Sequence, residues 1–273
     1  YTILAGSSRR MILPKTVGFS IRHNLPHSLI IPIPGHAIIQ SMSPGEFVAR
    51  VQATLQTHRN PQQAVGMAKY MKNLFPFLGL PRPAYEALVK PLASQVKGRV
   101  DEQWLEQACL SLWHLPEREF QYVALALLKG NLKALTLASL PLMQQLVQTR
   151  SWWDTVDVIA SHPVGSLILR FPELKAEMDT WSRHPDFWLR RTSLLHQLGY
   201  KARTDAERLF RYCLDNAADQ EFFIRKAIGW ALREYAKTDP QAVYTLVDNH
   251  RDHLSPLSIR EALKHRQPPA ELQ

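Results

Sequence analysis

Aromatic pairs open three helix-like segments of this chain at a constant interval. Trp152, Phe187 and Phe222 are the first members of these pairs, and they lie 35 residues apart in both steps. Each pair leads into a run with apolar residues at helical spacing. A period in this range, combined with helical spacing inside each unit, is the signature of a helical-repeat solenoid. The pattern therefore predicts pairs of helices that stack so that one helix of each pair lines a concave surface.

The chain from Pro44 onward reads as one helix after another. Breaks between the apolar-periodic segments carry Pro, Gly, Asn or Asp, and Thr204, Asp239 and Ser255 are predicted as helix N-caps. No segment shows the sustained alternation of apolar and polar residues that marks a strand. The predicted fold class is therefore all-α.

The N-terminal stretch, residues 1–43, differs from the rest of the chain. It supplies four of the nine net positive charges and contains no acidic residue, the first being Glu46. Prolines and a glycine interrupt its apolar text, SLIIPIPGHAIIQS. We predict a poorly ordered basic tail or extension, with a targeting leader, a basic arm and an upstream extension before Met42 left open. The domain itself is predicted to span residues 44–273.

Composition limits the classes of partner. The formal net charge is +9 and the pI is about 9.7, which favours a polyanionic partner. Nucleic acid fits best, and an acidic membrane surface is the alternative. No apolar run approaches the roughly 20 residues that span a bilayer. Cys109 and Cys213 are predicted to be buried free thiols, and the histidines lack metal-ligand spacing, so no metal site is predicted.

Polar and aromatic residues with chemical capability lie at matched places on the aromatic-led helices. These residues are Trp153 and Asp157, one and five places after Trp152, Arg191, four places after Phe187, and Trp230, eight places after Phe222. Offsets of one, four, five and eight share one helical face. The spacing predicts that the four side chains form a ladder along a single groove.

Several segments of the chain resemble a known family. These are SWWDTVDVIA, WLRRTSLLHQLGYK, EFFIRKAIGWALREYAKT and LSIREALKH, with MAKYMKNLFPFLG and LPEREFQ nearer the N-terminus. In this order and spacing they resemble the DNA alkylation repair glycosylases of the AlkD type, over roughly Pro44 to Arg266. The resemblance implies a HEAT-like helical-repeat solenoid, an α-α superhelix with a concave basic groove.

The activity that this resemblance implies is base excision repair. The enzyme would be a DNA N-glycosylase, a hydrolase that releases cationic N3- and N7-alkylated purines from double-stranded DNA by cleaving the N-glycosidic bond. It would need no cofactor, no metal, no membrane and no obligate protein partner. We expect a monomer, cytoplasmic and nucleoid-associated if the source is a bacterium.

The resemblance also implies roles for individual residues. Asp157, in the WWDxxD pattern, matches the catalytic carboxylate that stabilises the oxocarbenium-like sugar and positions water. Trp153 and Trp230 match the aromatic pair that flanks that sugar, and Arg191, the second arginine of WLRR, matches a phosphate contact. Further predicted DNA-binding residues are Tyr70, Lys72, Arg190 and Trp152. One departure from the family pattern, Pro81-Arg82-Pro83 after FLGL, leaves contacts to the undamaged strand unassigned.

Other interpretations of the same residues stay open. Asp154, beside Trp153, is predicted to be a first-turn carboxylate that the helix dipole stabilises. Four other tryptophans are predicted to pack in the core: Trp104, Trp113, Trp181 and Trp188. A non-catalytic DNA-binding solenoid that recognises damaged or branched DNA is the main alternative function. A protein-interaction scaffold is the third, because fold alone does not decide function.

Overall fold

The computed structural model describes residues 42–266, and all regular structure in that range is helical. This confirms the all-α, helical-repeat prediction. The predicted tail falls outside the described residues except for its last two members. The helices, in chain order, are α1 (Pro44–Thr57), α2 (Pro61–Tyr70), α3 (Arg82–Val96), α4 (Glu102–His114), α5 (Arg118–Gly130), α6 (Leu140–Gln148), α7 (Trp153–Ile159), α8 (Gly165–Arg170), α9 (Lys175–Trp181), α10 (Phe187–Leu195), α11 (Ala206–Asp215), α12 (Phe222–Tyr235), α13 (Pro240–Asn249) and α14 (Pro256–Ala262).

Five of these helices repeat at a nearly constant interval. Helices α5, α7, α10, α12 and α14 begin 35, 34, 35 and 34 residues apart, at Arg118, Trp153, Phe187, Phe222 and Pro256. Each packs against the next: α5 on α7, α7 on α10, α10 on α12, and α12 on α14. We call these five the repeat helices. The period in the sequence is therefore a period in the structure.

The recurring aromatic residues contact one another across successive repeats. The ring of Phe223 lies 5.0 Å from both Trp152 and Trp188, centroid to centroid, and Trp152 lies 6.0 Å from Trp188. Phe187 stacks parallel to Phe223 at 6.4 Å. Such aromatic pairs each contribute about 0.5–1.5 kcal/mol beyond the burial of their area. This aromatic cluster, formed by Trp152, Phe187, Trp188 and Phe223, joins three repeat helices.

A buried carboxylate fixes the loop between α2 and α3. Glu119, fully buried on α5, accepts hydrogen bonds from the backbone N–H groups of Leu78, Gly79 and Leu80 at 2.9, 2.9 and 3.0 Å. Gly79 has φ of 87°, and a Cβ there would lie 2.0 Å from the carbonyl oxygen of Asn60. Only glycine fits this close approach. The second acid of LPEREFQ thus anchors the N-terminal helices to the repeat helices.

Other core predictions are confirmed within the described range. Trp113, Trp181 and Trp188 are buried, and half-buried Trp104 packs edge-on against Phe47 at 5.4 Å. Both cysteines are buried free thiols, and burial raises the pKa of each. Their low ionisation and burial remove them from thiolate chemistry.

The structure departs from the predicted helices at three places. The apolar spacing of LKALTLASLPLMQQLVQT predicts one helix, but this segment forms two short 3-10 turns, Leu132–Ala134 and Leu137–Ser139, followed by α6. The spacing of SWWDTVDVIA predicts a helix that ends at Ala160, but α7 continues through a π-helical stretch, Ala160–Val164, into α8. Pro163 explains the stretch, because proline has no N–H to complete the α-helical ladder. Helix α11 is capped by Asp205 rather than Thr204.

Candidate functional site

Two of the predicted ladder residues form a bidentate ion pair. Arg191 of α10 donates from Nε to Oδ1 of Asp157 at 2.7 Å and from Nη2 to Oδ2 at 2.8 Å. Its Nη1 donates to the backbone oxygen of Phe223, at the start of α12. The carboxylate side chain is 14% exposed and the arginine side chain 4%. The pair is therefore mostly buried, with the carboxylate the more accessible partner.

The environment of Asp157 acts on its charge in opposite directions. Burial raises the pKa of this carboxyl, and the hydrogen bonds and positive charge of Arg191 counteract the increase. The negative charge of nearby Asp154 raises the pKa further. A carboxylate in such a site interacts strongly with any positive charge that develops beside it, because little water screens the interaction.

The ion pair belongs to a row of polar residues at one position of the repeat helices. The fifth residue of α5, α7, α10 and α12 is Tyr122, Asp157, Arg191 and Lys226, respectively. Asp157 and Arg191 pair between neighbouring helices, and Lys226 pairs with Glu261 of α14 at 2.6 Å. We call this set the fifth-position row. Of the four residues in the predicted ladder, this row contains Asp157 and Arg191 but neither Trp153 nor Trp230.

The two tryptophans predicted beside the site lie on different repeat helices, α7 and α12. Trp153 begins α7, is half-buried, and lies one turn before Asp157 on the same helical face. Its ring meets that of Tyr70 edge-on at 6.4 Å. Trp230 is half-buried on α12, and within residues 42–266 its ring makes no ring–ring contact. The structure thus joins Trp153 to Tyr70 and leaves Trp230 separate.

Two predicted DNA-binding residues are freely accessible. Tyr70, the last residue of α2, is 72% exposed. Lys72 is exposed and has φ of 58°, and the following Asn73 has φ of 57°. Two consecutive non-glycine residues in the left-handed region are uncommon and mark a sharply defined turn. The turn follows the C-terminus of α2 and leaves the Lys72 side chain exposed.

Three other predicted DNA-binding residues are engaged inside the protein. Arg190 pairs with Asp219 at 2.6 Å and donates to two backbone oxygens, and Trp152 is part of the aromatic cluster. Arg191, predicted as a phosphate contact, is committed to Asp157 and to a backbone oxygen. The sequence predicted side chains facing a groove, whereas the structure gives each of these an internal partner. A contact with DNA at these positions stays a prediction.

The sequence reasoning missed a second bidentate ion pair at the start of α7. Arg118 of α5 is fully buried and donates to the two carboxylate oxygens of Asp154, from Nε at 3.0 Å and from Nη2 at 2.6 Å. Its Nη1 donates to the backbone oxygen of Arg150 at 2.8 Å, and the guanidinium lies 3.8 Å from the ring centroid of Phe75. The Tyr122 hydroxyl donates to Asp154 at 2.7 Å.

Asp154 is indeed in the first turn of α7, as predicted, but its principal partners are side chains of α5. A signal was present, because Arg118 and Asp154 lie 36 residues apart, close to one repeat. Opposite charges separated by one repeat meet on neighbouring repeat helices, as Asp157 and Arg191 also do.

A cavity of about 820 Å³ opens beside Trp153, between α2, α3, α5 and α7. Its walls include the aromatic rings of Tyr70, Tyr85 and Tyr122, and two lysines, Lys97 and Lys129, contribute positive charge. Asp157 is not among its lining residues. The combination of aromatic surface and cations is typical of nucleic-acid contacts.

The described part of the chain supplies neither a metal site nor a membrane span. Among residues 42–266, no three His, Cys, Asp or Glu side chains are grouped so that they could hold a metal ion. In the same range, no helix has the length and apolar character needed to cross a bilayer.

Comparisons with known proteins give one consistent family. The family model described as "DNA alkylation repair enzyme" matches residues 51–265. A solved structure, a predicted DNA alkylation repair enzyme from Enterococcus faecalis, is 35% identical, covers 77% of this chain and 98% of that one, and has a TM-score of 0.72. The smu.31 protein of Streptococcus mutans UA159 is 17% identical, with coverages of 65% and 91% and a TM-score of 0.53, and supports the fold alone. No curated protein matches. The chain belongs to the DNA alkylation repair enzyme family.

Proposed function

We propose that residues 44–273 form a DNA glycosylase that hydrolyses the N-glycosidic bond of cationic N3- and N7-alkylated purines in duplex DNA. The observation that carries this proposal is the carboxylate of Asp157, mostly buried, held in a fixed orientation by Arg191 and still partly exposed. The family membership supplies the substrate class, alkylated DNA.

The chemistry asks little of the leaving group. Alkylation at N3 or N7 makes the purine a cation, so the base departs as a neutral molecule without prior protonation. The sugar develops oxocarbenium character as the bond lengthens. The carboxylate of Asp157 stabilises that positive charge and orients the water that attacks C1′. The attacking water then loses a proton to give the abasic site.

The neighbouring residues take supporting roles in this proposal. Trp153 and Trp230 flank the sugar of the lesion nucleotide, where the face of an indole attracts developing positive charge. Tyr70 and Lys72, both exposed, contact the DNA backbone. Arg191 orients the Asp157 carboxylate and keeps it ionised. The net charge of +9 favours association with DNA, and the reaction uses water and no cofactor.

A second function is favoured by the same ion pair. The commitment of Asp157 to Arg191 is also what a purely structural carboxylate shows, since buried arginines are commonly paired. A non-catalytic protein that binds damaged or branched DNA would keep the basic and aromatic surface and use the pair only to hold α7 against α10.

One experiment separates the two functions. Purified protein is incubated with a duplex that bears a single N7-methylguanine, and hot alkali then cleaves any abasic product. Strand cleavage at the lesion, dependent on protein concentration, is the expected result. Binding to the duplex without cleavage, at protein in excess over DNA, would favour the non-catalytic alternative.

A further inference from the structure

Helix α7 is held from both sides by equivalent ion pairs. Arg118 of α5 donates two hydrogen bonds to the carboxylate of Asp154, and Arg191 of α10 donates two to the carboxylate of Asp157. Each arginine also donates Nη1 to a backbone oxygen that lies 32 residues farther along the chain. Only the pair that contains Asp157 is part of the proposed site. The other pair lies one helical turn away, on the side of α5.

We propose that Arg118, Asp154 and Tyr122 form a positioning network that sets the orientation of the Asp157 carboxylate. This inference rests on the proposed function, because it assigns a role in the same reaction. None of the three residues touches the reacting atoms. They act through the first turn of α7, which begins with Trp153 and reaches Asp157 after one turn.

The network is built to fix that turn. Arg118 is fully buried, and the side chain of Asp154 is 8% exposed. Asp154 accepts three hydrogen bonds, two from Arg118 and one from the Tyr122 hydroxyl. Burial and the adjacent negative charge raise the pKa of Tyr122, so its hydroxyl stays protonated and donates. A displacement of about 1 Å at a reacting group can lower a rate about 100-fold, so small movements of α7 matter.

The network also acts on Asp157 through charge. The negative charge of Asp154 raises the pKa of Asp157, whereas Arg191, facing it from α10, lowers the pKa. Removal of the Asp154 charge therefore lowers the pKa of Asp157 and moves the acid limb of the excision profile to lower pH. A shift of that limb reports the charge of Asp154, whereas the excision rate constant reports the orientation of the Asp157 carboxylate.

The mildest test is Tyr122→Phe, which removes one hydroxyl and one of the three hydrogen bonds. The matched control is Tyr212→Phe, because the Tyr212 hydroxyl likewise donates to a carboxylate that an arginine holds with two hydrogen bonds, that of Asp179, between α9 and α11. In single-turnover excision of N7-methylguanine, we expect Tyr122→Phe to lower the rate constant about fivefold to tenfold, with substrate affinity and melting temperature close to the parent's. Tyr212→Phe keeps the parent rate. Equal rates for Tyr122→Phe and the parent overturn the proposal.

A second test measures the acid limb with Asp154→Asn and Arg118→Lys. Asp154→Asn is expected to move the limb to lower pH, and Arg118→Lys, which keeps the charge but loses the bidentate geometry, is expected to lower the rate without moving it. If Asp154→Asn does not fold, the Tyr122→Phe result decides alone. An unmoved limb in folded Asp154→Asn contradicts the network's influence on Asp157.

A binding measurement keeps failure of the network distinct from failure of the glycosylase proposal. Duplexes carry either a cationic pyrrolidine in place of the lesion sugar, as an oxocarbenium mimic, or a neutral tetrahydrofuran. The parent is expected to prefer the cation, and Tyr122→Phe to reduce that preference about fivefold. No preference in the parent refutes the proposed function. A parent preference that Tyr122→Phe leaves intact refutes the network alone.

Discussion

Arg191 holds both carboxylate oxygens of Asp157, with Nε 2.7 Å from Oδ1 and Nη2 2.8 Å from Oδ2. The planar fork leaves the carboxylate one orientation relative to α10. Because Arg191 also donates to the backbone at the start of α12, the orientation of one carboxylate depends on three repeat helices. A single guanidinium thereby connects three successive repeat helices at the candidate site.

Asp157→Asn is expected to lower the excision rate by about 100-fold to 1,000-fold while affinity for intact duplex stays near the parent's. The substitution preserves shape and removes the charge that, in the proposed mechanism, faces the oxocarbenium, a loss of about 2.7–4 kcal/mol for one electrostatic group. Single-turnover excision and fluorescence anisotropy measure the two quantities.

The matched control is Asp215→Asn. It breaks a more exposed ion pair with Arg183, at 3.1 Å, and should leave both excision and binding unchanged. If Asp157→Asn retains the parent rate, Asp157 is not the catalytic carboxylate.

Arg191→Ala distinguishes orientation of Asp157 from contact with phosphate. Since three N–H groups of Arg191 are occupied inside the protein, we expect excision to fall at least tenfold while the salt dependence of duplex binding is unchanged. Each phosphate neutralised contributes about −0.9 to the slope of log affinity against log salt. A slope reduced by about that amount would show instead that the guanidinium binds a phosphate.

The range of excised bases should follow their charge. Uracil and hypoxanthine are neutral, so their departure requires an acid that protonates the leaving base, and the carboxylate of Asp157 must stay ionised for its own role. We expect N3-methyladenine and N7-methylguanine to be released and uracil to remain. If the parent releases uracil and Asp157→Asn abolishes that release, Asp157 is a catalytic residue but the proposed mechanism is wrong.

Glu119→Gln is expected to destabilise the fold by about 2–4 kcal/mol. The carboxylate accepts hydrogen bonds from three backbone N–H groups in a fully buried site. The glutamine side chain replaces one of the two accepting oxygens with an NH2 group, which cannot accept a hydrogen bond from the N–H that it then faces. Urea unfolding measures the difference. Glu86→Gln, which removes an exposed pair with Arg82, is the control and should change stability little.

The free energy of unfolding should decrease as the pH is lowered, because His196 is buried in its neutral form. Burial lowers the pKa of this histidine to about 4, and its Nδ1 lies 2.6 Å from the backbone oxygen of Ser193. The unfolded chain, with an ordinary pKa near about 6.5, binds the proton first as pH falls. The contribution of neutral His196 to the free energy of unfolding is therefore complete above about pH 6.5 and diminishes toward pH 4. Roughly 2 kcal/mol of it is lost by pH 5.

Urea unfolding of the parent and His196→Gln at pH 7.5 and pH 5 tests this. The variant should lose less stability between the two values. His58→Gln is the control, because exposed His58 also bonds a backbone oxygen of its own helix, at 2.8 Å. Equal pH dependence of the parent and His196→Gln would show that the buried histidine is not the cause.

The repeat could be predicted because its signal is local and periodic. Apolar spacing and the recurrence of Trp152, Phe187 and Phe222 depend only on helical geometry, and the structure places these residues at successive repeat helices. Turns that rest on tertiary contacts were not predicted. Proline usually ends a helix, but at Pro163 the helix continues as a π-helical stretch, because neighbouring helices pack against it.

One contact of the candidate site, that between Asp157 and Arg191, could be anticipated from the sequence. Helical offsets brought Asp157 and Arg191 to one face, yet spacing alone could not say that they bond each other instead of a ligand. Arg118 was missed although its partner lies about one repeat away, at 36 residues, because the sequence alone does not show that Arg118 is buried and needs a counter-charge.

The aromatic cluster has a spectroscopic consequence. Trp152 and Trp188 belong to different repeats, yet their ring centroids are 6.0 Å apart, near enough for their excited states to couple. Coupled indoles give a paired positive and negative band in ultraviolet circular dichroism that separate indoles lack. The band would report the docking of neighbouring repeats during refolding, independently of the helical signal. Its appearance after the helices have formed would mean that the repeats fold first and assemble second.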